Sequence, residues 1–237
     1  MQKNIPSDNK FFLIGKKDIY FLKIIDHLKN KKINFKYLFL ERKTNNKFLY
    51  QILKKNKFDY LISYRNPKIL TKKMLGFAKK NNINFHPSPP KYRGVGGFNL
   101  AILNADREYG ATAHLMSDKL DNGIIIDLIK FNISDQIDLS QLINKTRKLQ
   151  FLQIKKLLNY LMLKDLNIKS LKVRNKKKKF KWAKKIFYLN DLENLYKIDL
   201  ENIKKEKISR RIRATLIDGF SPEIICGNYK FTVKNDK

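Results

Sequence analysis

The sequence predicts an α/β protein built on a doubly wound, mostly parallel sheet, with a small strand-rich module at its C-terminal end. Short apolar runs alternate with amphipathic stretches through the first two thirds of the chain, the order expected of strands and the helices that cover them. The pattern breaks at the basic run "VRNKKKKFKWAKK" (173–185), and the apolar segments beyond it read as strands. The 237 residues, 43% of them hydrophobic, suffice for one substantial core plus an appended small domain, and not for two large ones.

Taken in order, "KFFLIG" (10–15) is expected as a buried strand, followed by a helix carrying Ile19, Leu22, Ile25 and Leu28. "INFKYLFL" (33–40) is the next strand, and Phe48 to Leu53 lie in the helix after it. "YLISY" (60–64) is the third strand, with a helix from about Thr71 to Lys80, and "INF" (83–85) is a fourth that leads into His86. "ATAHLM" (111–116) and "GIIIDLIKF" (123–131) complete the sheet. A long amphipathic helix then opens at Asp138 with Gln141 three residues on, a capping-box spacing, and runs to about Leu163. With a boundary near Leu166, residues 1–165 form the main domain and 166–237 a small module of "IFYL", "RRIRATLI" and "EIICGNYKFTV", with "CGNYK" as a hairpin turn.

The formal net charge of +31 points first to a polyanionic partner. Only nine of the 52 basic residues are Arg, and the lysines are spread over nearly every segment among Asn and Ile. That spread fits a general drift of surface positions to Lys, whereas a phosphate-reading stripe would cluster and favour Arg for its bidentate contacts. Nucleic acid is therefore not the expected partner, although the field attracts small anions. A single cysteine, Cys226, forms no disulfide within the chain. The opening "MQKNIPSDNKFFLIG" has too short an apolar run for a signal segment, and no run reaches the length of a membrane span, so a cytoplasmic protein is expected.

Ligands of an open parallel sheet bind beyond the carboxyl ends of its strands, which is where Asn84 and His86 fall. The two-residue period of an extended chain turns both to the same side, so an amide and an imidazole share one cleft. Pro87, Pro89 and Pro90 stiffen the loop that follows. Asp121 opens a second loop, "DNGIII", in which Gly123 permits a tight turn. An amide to steady an oxyanion, an imidazole to move a proton and a carboxylate to orient or accept would together serve acyl transfer. Spacing alone leaves the ordinary readings open as well: a structural histidine at a strand end, an Asp-Asn-Gly turn and a loop asparagine.

"NFHPSPPKYRGVGGFNLAILNADREYGATAHLMSDKLDNGIII" (84–126) resembles the central block of the folate-dependent formyltransferases. The Asn-x-His-Pro-Ser element, then Arg-Gly, a helix, a Thr-x-His strand and Asp-x-Gly-x-Ile follow one another in order. The resemblance implies that family's Rossmann-like fold and transfer of a formyl group from N10-formyltetrahydrofolate to an amine, without a metal. It implies that Asn84 and His86 bind and polarise the formyl oxygen while Asp121 assists the proton leaving the amine. It places the folate against the loop after the third strand, at Tyr64, Arg65, Asn66, Ile69 and Leu70, and at Asp118. Arg65 departs from the small or apolar residue expected there, and is either a contact for the folate glutamate tail or a solvated loop charge. His114 matches the strand histidine and is expected to support the site from the core; His27 is read as ordinary and Trp182 as a core or interface anchor.

The flanks distinguish the acceptors. "GKKDIY" after the first strand lacks the Gly-Ser-Asn loop of the glycinamide ribonucleotide enzymes, and the hydrolases carry a further domain in front. The short nucleotide-sugar N-formyltransferases fit best, acting on a nucleotide-linked amino-dideoxy sugar such as dTDP-4-amino-4,6-dideoxyglucose, for surface polysaccharide. Tyr92, Arg93, Gly94, Gly96 and Gly97 would then meet the sugar or its diphosphate, and the C-terminal module would pair two subunits into a homodimer. The alternatives are a methionyl-tRNA formyltransferase with a shortened C-terminal domain, and a basic RNA-binding protein on an inactive formyltransferase scaffold that uses "KKKKFKWAKKIFY".

Overall fold

The computed structural model describes residues 8–178 and 180–234. Residues 1–7 of the opening segment and Lys179 of the basic run lie outside them. Contacts divide the chain into two compact units. The first runs to Pro87 and takes in Ala111–Ile129 and Arg147–Trp182; the second takes in Ser88–Gly110, Lys130–Thr146 and the described residues from Ala183 on.

The elements follow one another as β1 (Phe11–Gly15), α1 (Ile19–Asn30), β2 (Phe35–Phe39), α2 (Asn46–Lys55), β3 (Phe58–Tyr64), α3 (Lys72–Leu75) and β4 (Ala78–His86). Next come β5 (Arg93–Gly94), α4 (Gly97–Leu103), β6 (Glu108–Leu115), β7 (Ile125–Asn132), α5 (Leu139–Leu161) and α6 (Ile168–Lys177). The C-terminal part holds β8 (Ile186–Phe187), α7 (Leu189–Glu193), β9 (Lys197–Asp199), α8 (Lys205–Thr215), β10 (Glu223–Cys226) and β11 (Tyr229–Thr232). The main sheet has the order β2-β1-β3-β4-β6-β7, in which β2, β1, β3 and β4 pair in parallel and β6 joins β4 antiparallel. This is the doubly wound, mostly parallel sheet the sequence predicts, and β11-β10-β9 form the small C-terminal sheet.

Alternation along β1 explains the double winding. Phe11 and Leu13 join Phe21, Ile24, Ile25 and Leu28 of α1 in one core, while Phe12 and Ile14 join Leu49 and Leu53 of α2 in another. Leu28 and Leu53 are fully buried, so truncating either to Ala should cost about 2–5 kcal/mol. Asp18 starts α1 by accepting the amide of Phe21 at 2.8 Å. At the start of α5 the capping box forms: Gln141 donates its amide to Asp138 Oδ1 at 2.8 Å and accepts the Asp138 amide at 3.2 Å. The second unit has its own core, centred on Tyr92, Ile102, Tyr109 and Leu142.

The helix expected to carry Ile19, Leu22, Ile25 and Leu28 forms as α1, with its buried stripe through Phe21, Ile24, Ile25 and Leu28 and with Ile19 and Leu22 62% and 41% exposed. Two local expectations need correction. The helix expected over 71–80 is a single turn ending at Leu75, and β4 begins at Ala78 because its backbone pairs with β3 around an irregularity at Phe58 and Tyr60. "RRIRATLI" is not a strand: Lys205–Thr215 is helical, with Ala214 and Thr215 fully buried on its inner face. The hairpin at "CGNYK" forms, with Cys226 opposite Tyr229. Among the described residues no helix is long and apolar enough to cross a membrane.

Candidate active site

Strand β4 delivers Asn84 and His86 to the end of the sheet, and β6 runs beside it with Asn84 opposite His114 and His86 opposite Thr112. The loop between β6 and β7 returns Asp121 to the same place. Asp121 Oδ2 lies 3.4 Å from His86 Nδ1, and its Oδ1 lies 3.4 Å from His114 Nε2. All three side chains are buried, Asp121 being 6% exposed and His86 4%. The residues that the sequence singles out as chemical therefore converge, with His114 as a fourth member.

The hydrogen-bond pattern fixes the orientation of the asparagine. His114 Nδ1 lies 2.8 Å from the Leu115 carbonyl, which can only accept, so Nδ1 carries a proton, and in that tautomer Nε2 is the acceptor. Asn84 Nδ2 donates to that nitrogen at 3.2 Å, and Asn84 Oδ1 accepts from the Ser63 hydroxyl at 2.8 Å. With its oxygen engaged and one N–H spent on His114, the amide keeps its second N–H for a ligand.

Two backbone features hold the loop. Gly123 is required by close approach, since a Cβ there would sit 1.6 Å from the Leu115 carbonyl oxygen. Asp121 adopts φ +40°, a left-handed conformation that Asp tolerates better than most residues. Trp182 completes the arrangement: its indole N–H donates to the Gly123 carbonyl at 2.8 Å, and its ring meets His114 and His86 edge-on at 4.9 and 5.9 Å. The sequence reads Trp182 as a core or interface anchor, because nothing local in the chain links it to His86.

Asn84, His114 and Asp121 line a cavity together with Ser63, Asn66, Leu70 and Asp118. Ile69 lines it too and is 71% exposed, an apolar side chain held beside a polar floor. Asn66 shapes the loop after β3, accepting the Lys68 amide at 2.9 Å and donating to the Lys68 carbonyl at 3.0 Å. Tyr64 and Arg65 are directed elsewhere. Tyr64 is 1% exposed in the core and donates its hydroxyl to Asp18 Oδ2 at 3.3 Å, and burial, followed by the Asp18 charge, holds its phenol above the usual range. Arg65, at φ +49°, pairs its guanidinium with the same Asp18 oxygen. His27, read as ordinary, has a partner in Asn159 at 2.9 Å.

Tyr92, Arg93, Gly94, Gly96 and Gly97 belong to the second unit. Tyr92 is buried, donates to Asp106 Oδ2 at 2.8 Å and accepts from Asn104 at 3.0 Å. Arg93 is 7% exposed and donates to the Ala183 carbonyl at 3.0 Å, bracing the β5–β8 pair. A Cβ at Gly94, which has φ +84°, would lie 2.1 Å from the Phe187 carbonyl oxygen, so that pair itself demands glycine. Gly96 is the N-cap of α4 and Gly97 its first residue, packed against Ser88.

Residues 12–156, more than half of the chain, match the formyl transferase family, and the chain belongs to that family. Among individual proteins, a methionyl-tRNA formyltransferase of Helicobacter pylori (strain J99) is 42% identical over 93 residues, a match that covers 39% of this chain and only 30% of that protein's length. In fold, the chain is similar to a sugar N-formyltransferase from Shewanella sp FDAARGOS_354 (TM-score 0.74, 16% identity, 95% of this chain and 97% of that one). It is also similar to an N-formyltransferase from Helicobacter canadensis, solved with folinic acid and dTDP-3-aminofucose (TM-score 0.61, 19% identity, 87% of this chain and 80% of that one).

Proposed function

We propose that the chain transfers a formyl group from N10-formyltetrahydrofolate to the free amine of a nucleotide-linked amino-dideoxy sugar, with dTDP-4-amino-4,6-dideoxyglucose as the first choice, for surface polysaccharide synthesis in the cytoplasm. The observation that carries this reading is the oriented Asn84 amide, whose remaining N–H is available at a cavity shared with Asp121, in a chain of this family. The lining of the cavity carries groups suited to the flat, hydrogen-bonding head of a folate: Ile69 and Leu70 offer apolar surface, and Asn66 and Asp118 offer polar edges. The co-substrate supplies a formyl carbon already activated for attack.

The chain's own residues do the rest. Asn84 Nδ2 and an N–H of His86 donate to the formyl oxygen as it gains negative charge during attack by the amine. Asp121 accepts the proton that the attacking nitrogen sheds and holds His86 in register; as the tetrahedral intermediate collapses, the bond from the formyl carbon to N10 breaks, N10 takes up a proton and tetrahydrofolate leaves. Trp182 and the burial of both histidines keep bulk water from the reacting carbon. No covalent enzyme intermediate is needed, because positioning, an oxyanion partner and a proton acceptor suffice.

A sugar acceptor is supported by a likeness of fold that runs nearly the whole length of both chains. The second reading, a methionyl-tRNA acceptor, is favoured by sequence identity within part of the catalytic region. In the sugar reading, residues from 166 on form a pairing module. Phe220, Tyr229 and Phe231 are 66%, 72% and 57% exposed there, and they offer an aromatic surface to a second copy of the chain. The test is release of tetrahydrofolate from N10-formyltetrahydrofolate with dTDP-, UDP- and GDP-linked amino sugars and with charged initiator tRNA. Turnover with one amino sugar and none with tRNA is expected. Turnover with tRNA alone would replace the sugar by the second reading, and silence throughout would point to an inactive, RNA-binding scaffold.

A further inference from the structure

A second cavity, of about 300 Å³, lies within the first unit between α5, α6 and β7. Its walls are the buried Ile126, Leu157 and Leu171. Gln153, 4% exposed, lines it with its Nε2 donating to Asp127 Oδ2 at 3.0 Å. Among the described residues Gln153 Oε1 has no hydrogen-bond partner, and neither has the Nε of Arg174, which lines the same cavity. Two residues lining this cavity thus leave unmade, one a buried acceptor and the other a buried donor, each at a cost that a partner would relieve.

Basic groups gather at this place. Lys156 lines the cavity, and an adjoining depression that shares Ser170 and Arg174 is bordered by Lys169, Lys177 and Lys178. The catalytic site uses none of these residues. A volume at the lower end of the ligand-binding range, apolar walls and a few polar groups describe a site for a small molecule. We infer that this cavity binds a small planar heterocyclic acid, a ring carrying an N–H donor and a carbonyl acceptor together with an anionic group. The N–H meets Gln153 Oε1, which the broad terminal torsion of Gln lets turn toward the ring in exchange for the Nε2–Asp127 bond. The carbonyl accepts from Arg174, and the anion faces Lys156 and the lysines beside it.

Orotate is the probe, titrated into the full-length protein by calorimetry at low ionic strength, with benzoate as a planar acid lacking the N–H and carbonyl edge. Saturable binding at one site is expected, with benzoate at least about tenfold weaker. Gln153→Leu should weaken orotate about tenfold, and Leu171→Trp, which fills the cavity, should abolish binding. In the wild-type chain the side-chain amide resonances of Gln153 should shift with orotate, a readout that needs no variant. Absence of saturable binding, equal binding of benzoate, unmoved Gln153 resonances, or binding that survives Leu171→Trp would each overturn the assignment.

Discussion

Asn84 and His114 stand opposite each other on antiparallel strands, and the asparagine donates from Nδ2 to the histidine's Nε2 at 3.2 Å. The bond works only because the Leu115 carbonyl holds the proton on the other ring nitrogen. A backbone carbonyl therefore decides which way a side-chain amide points, and that amide lines the cavity it shares with Asp121.

Removing the amide should cost transition-state stabilisation more than folding stability. Asn84→Ala is expected to lower kcat by about 10²–10³-fold while KM for the sugar changes little, as steady-state kinetics would reveal. A KM effect with kcat intact would assign Asn84 to binding instead.

The roles proposed for His86 and Asp121 are tested by His86→Asn and Asp121→Asn. Because Asn also tolerates positive φ, Asp121→Asn removes the charge without straining the loop at φ +40°. Each variant should lose about 10²-fold or more in turnover, with nucleotide-sugar binding measured by calorimetry nearly unchanged.

Trp182→Phe keeps the edge-on ring and deletes the N–H that holds the Gly123 carbonyl. A fall in kcat/KM of about tenfold, with an unfolding midpoint close to wild type, is the expected result. A large loss of midpoint with full activity per folded molecule would make the tryptophan purely structural.

Away from the site, Asp165 ties β3 and β4 to the segment after α5. Lys80 lies 2.8 Å from its Oδ1, and the Tyr60 hydroxyl donates to that oxygen at 2.9 Å. Hydrogen bonding to Lys80, followed by bonds from Tyr60 and Asn9, holds its carboxyl below the usual range. A lowered folded pKa adds stability above the unfolded value of about 3.9, and that stability is lost as the pH falls through the folded value. Asp165→Asn should therefore be less stable than wild type near neutrality, by about 1 kcal/mol or less for so exposed a group, and the gap should close in acid. Denaturant melts across an acid-to-neutral series would measure it.

Parts of this were readable in the chain. β1 is a continuous apolar run and β3 is one broken only by Asp59 and Ser63, and Asn84 and His86 share a face by the strand's own period. β4 was legible only at its end, since Lys79, Lys80, Asn81 and Asn82 carry no apolar signal and become a strand through pairing with β3. α8 misled because Ile212, Ala214 and Leu216 alternate like a strand, while the helical face that packs is set by tertiary contact. The Asn84–His114 bond depends on cross-strand register and the Trp182 contact on a distant return of the chain, and neither leaves a local trace.

The most direct measurement follows isotope-labelled formyl from N10-formyltetrahydrofolate onto dTDP-4-amino-4,6-dideoxyglucose by mass spectrometry, in wild type and Asn84→Ala side by side. Labelled formamide in wild type, reduced at least about 10²-fold in the variant, is the expected result. Equal transfer by both, or none by wild type to this or any other amino sugar, would contradict it.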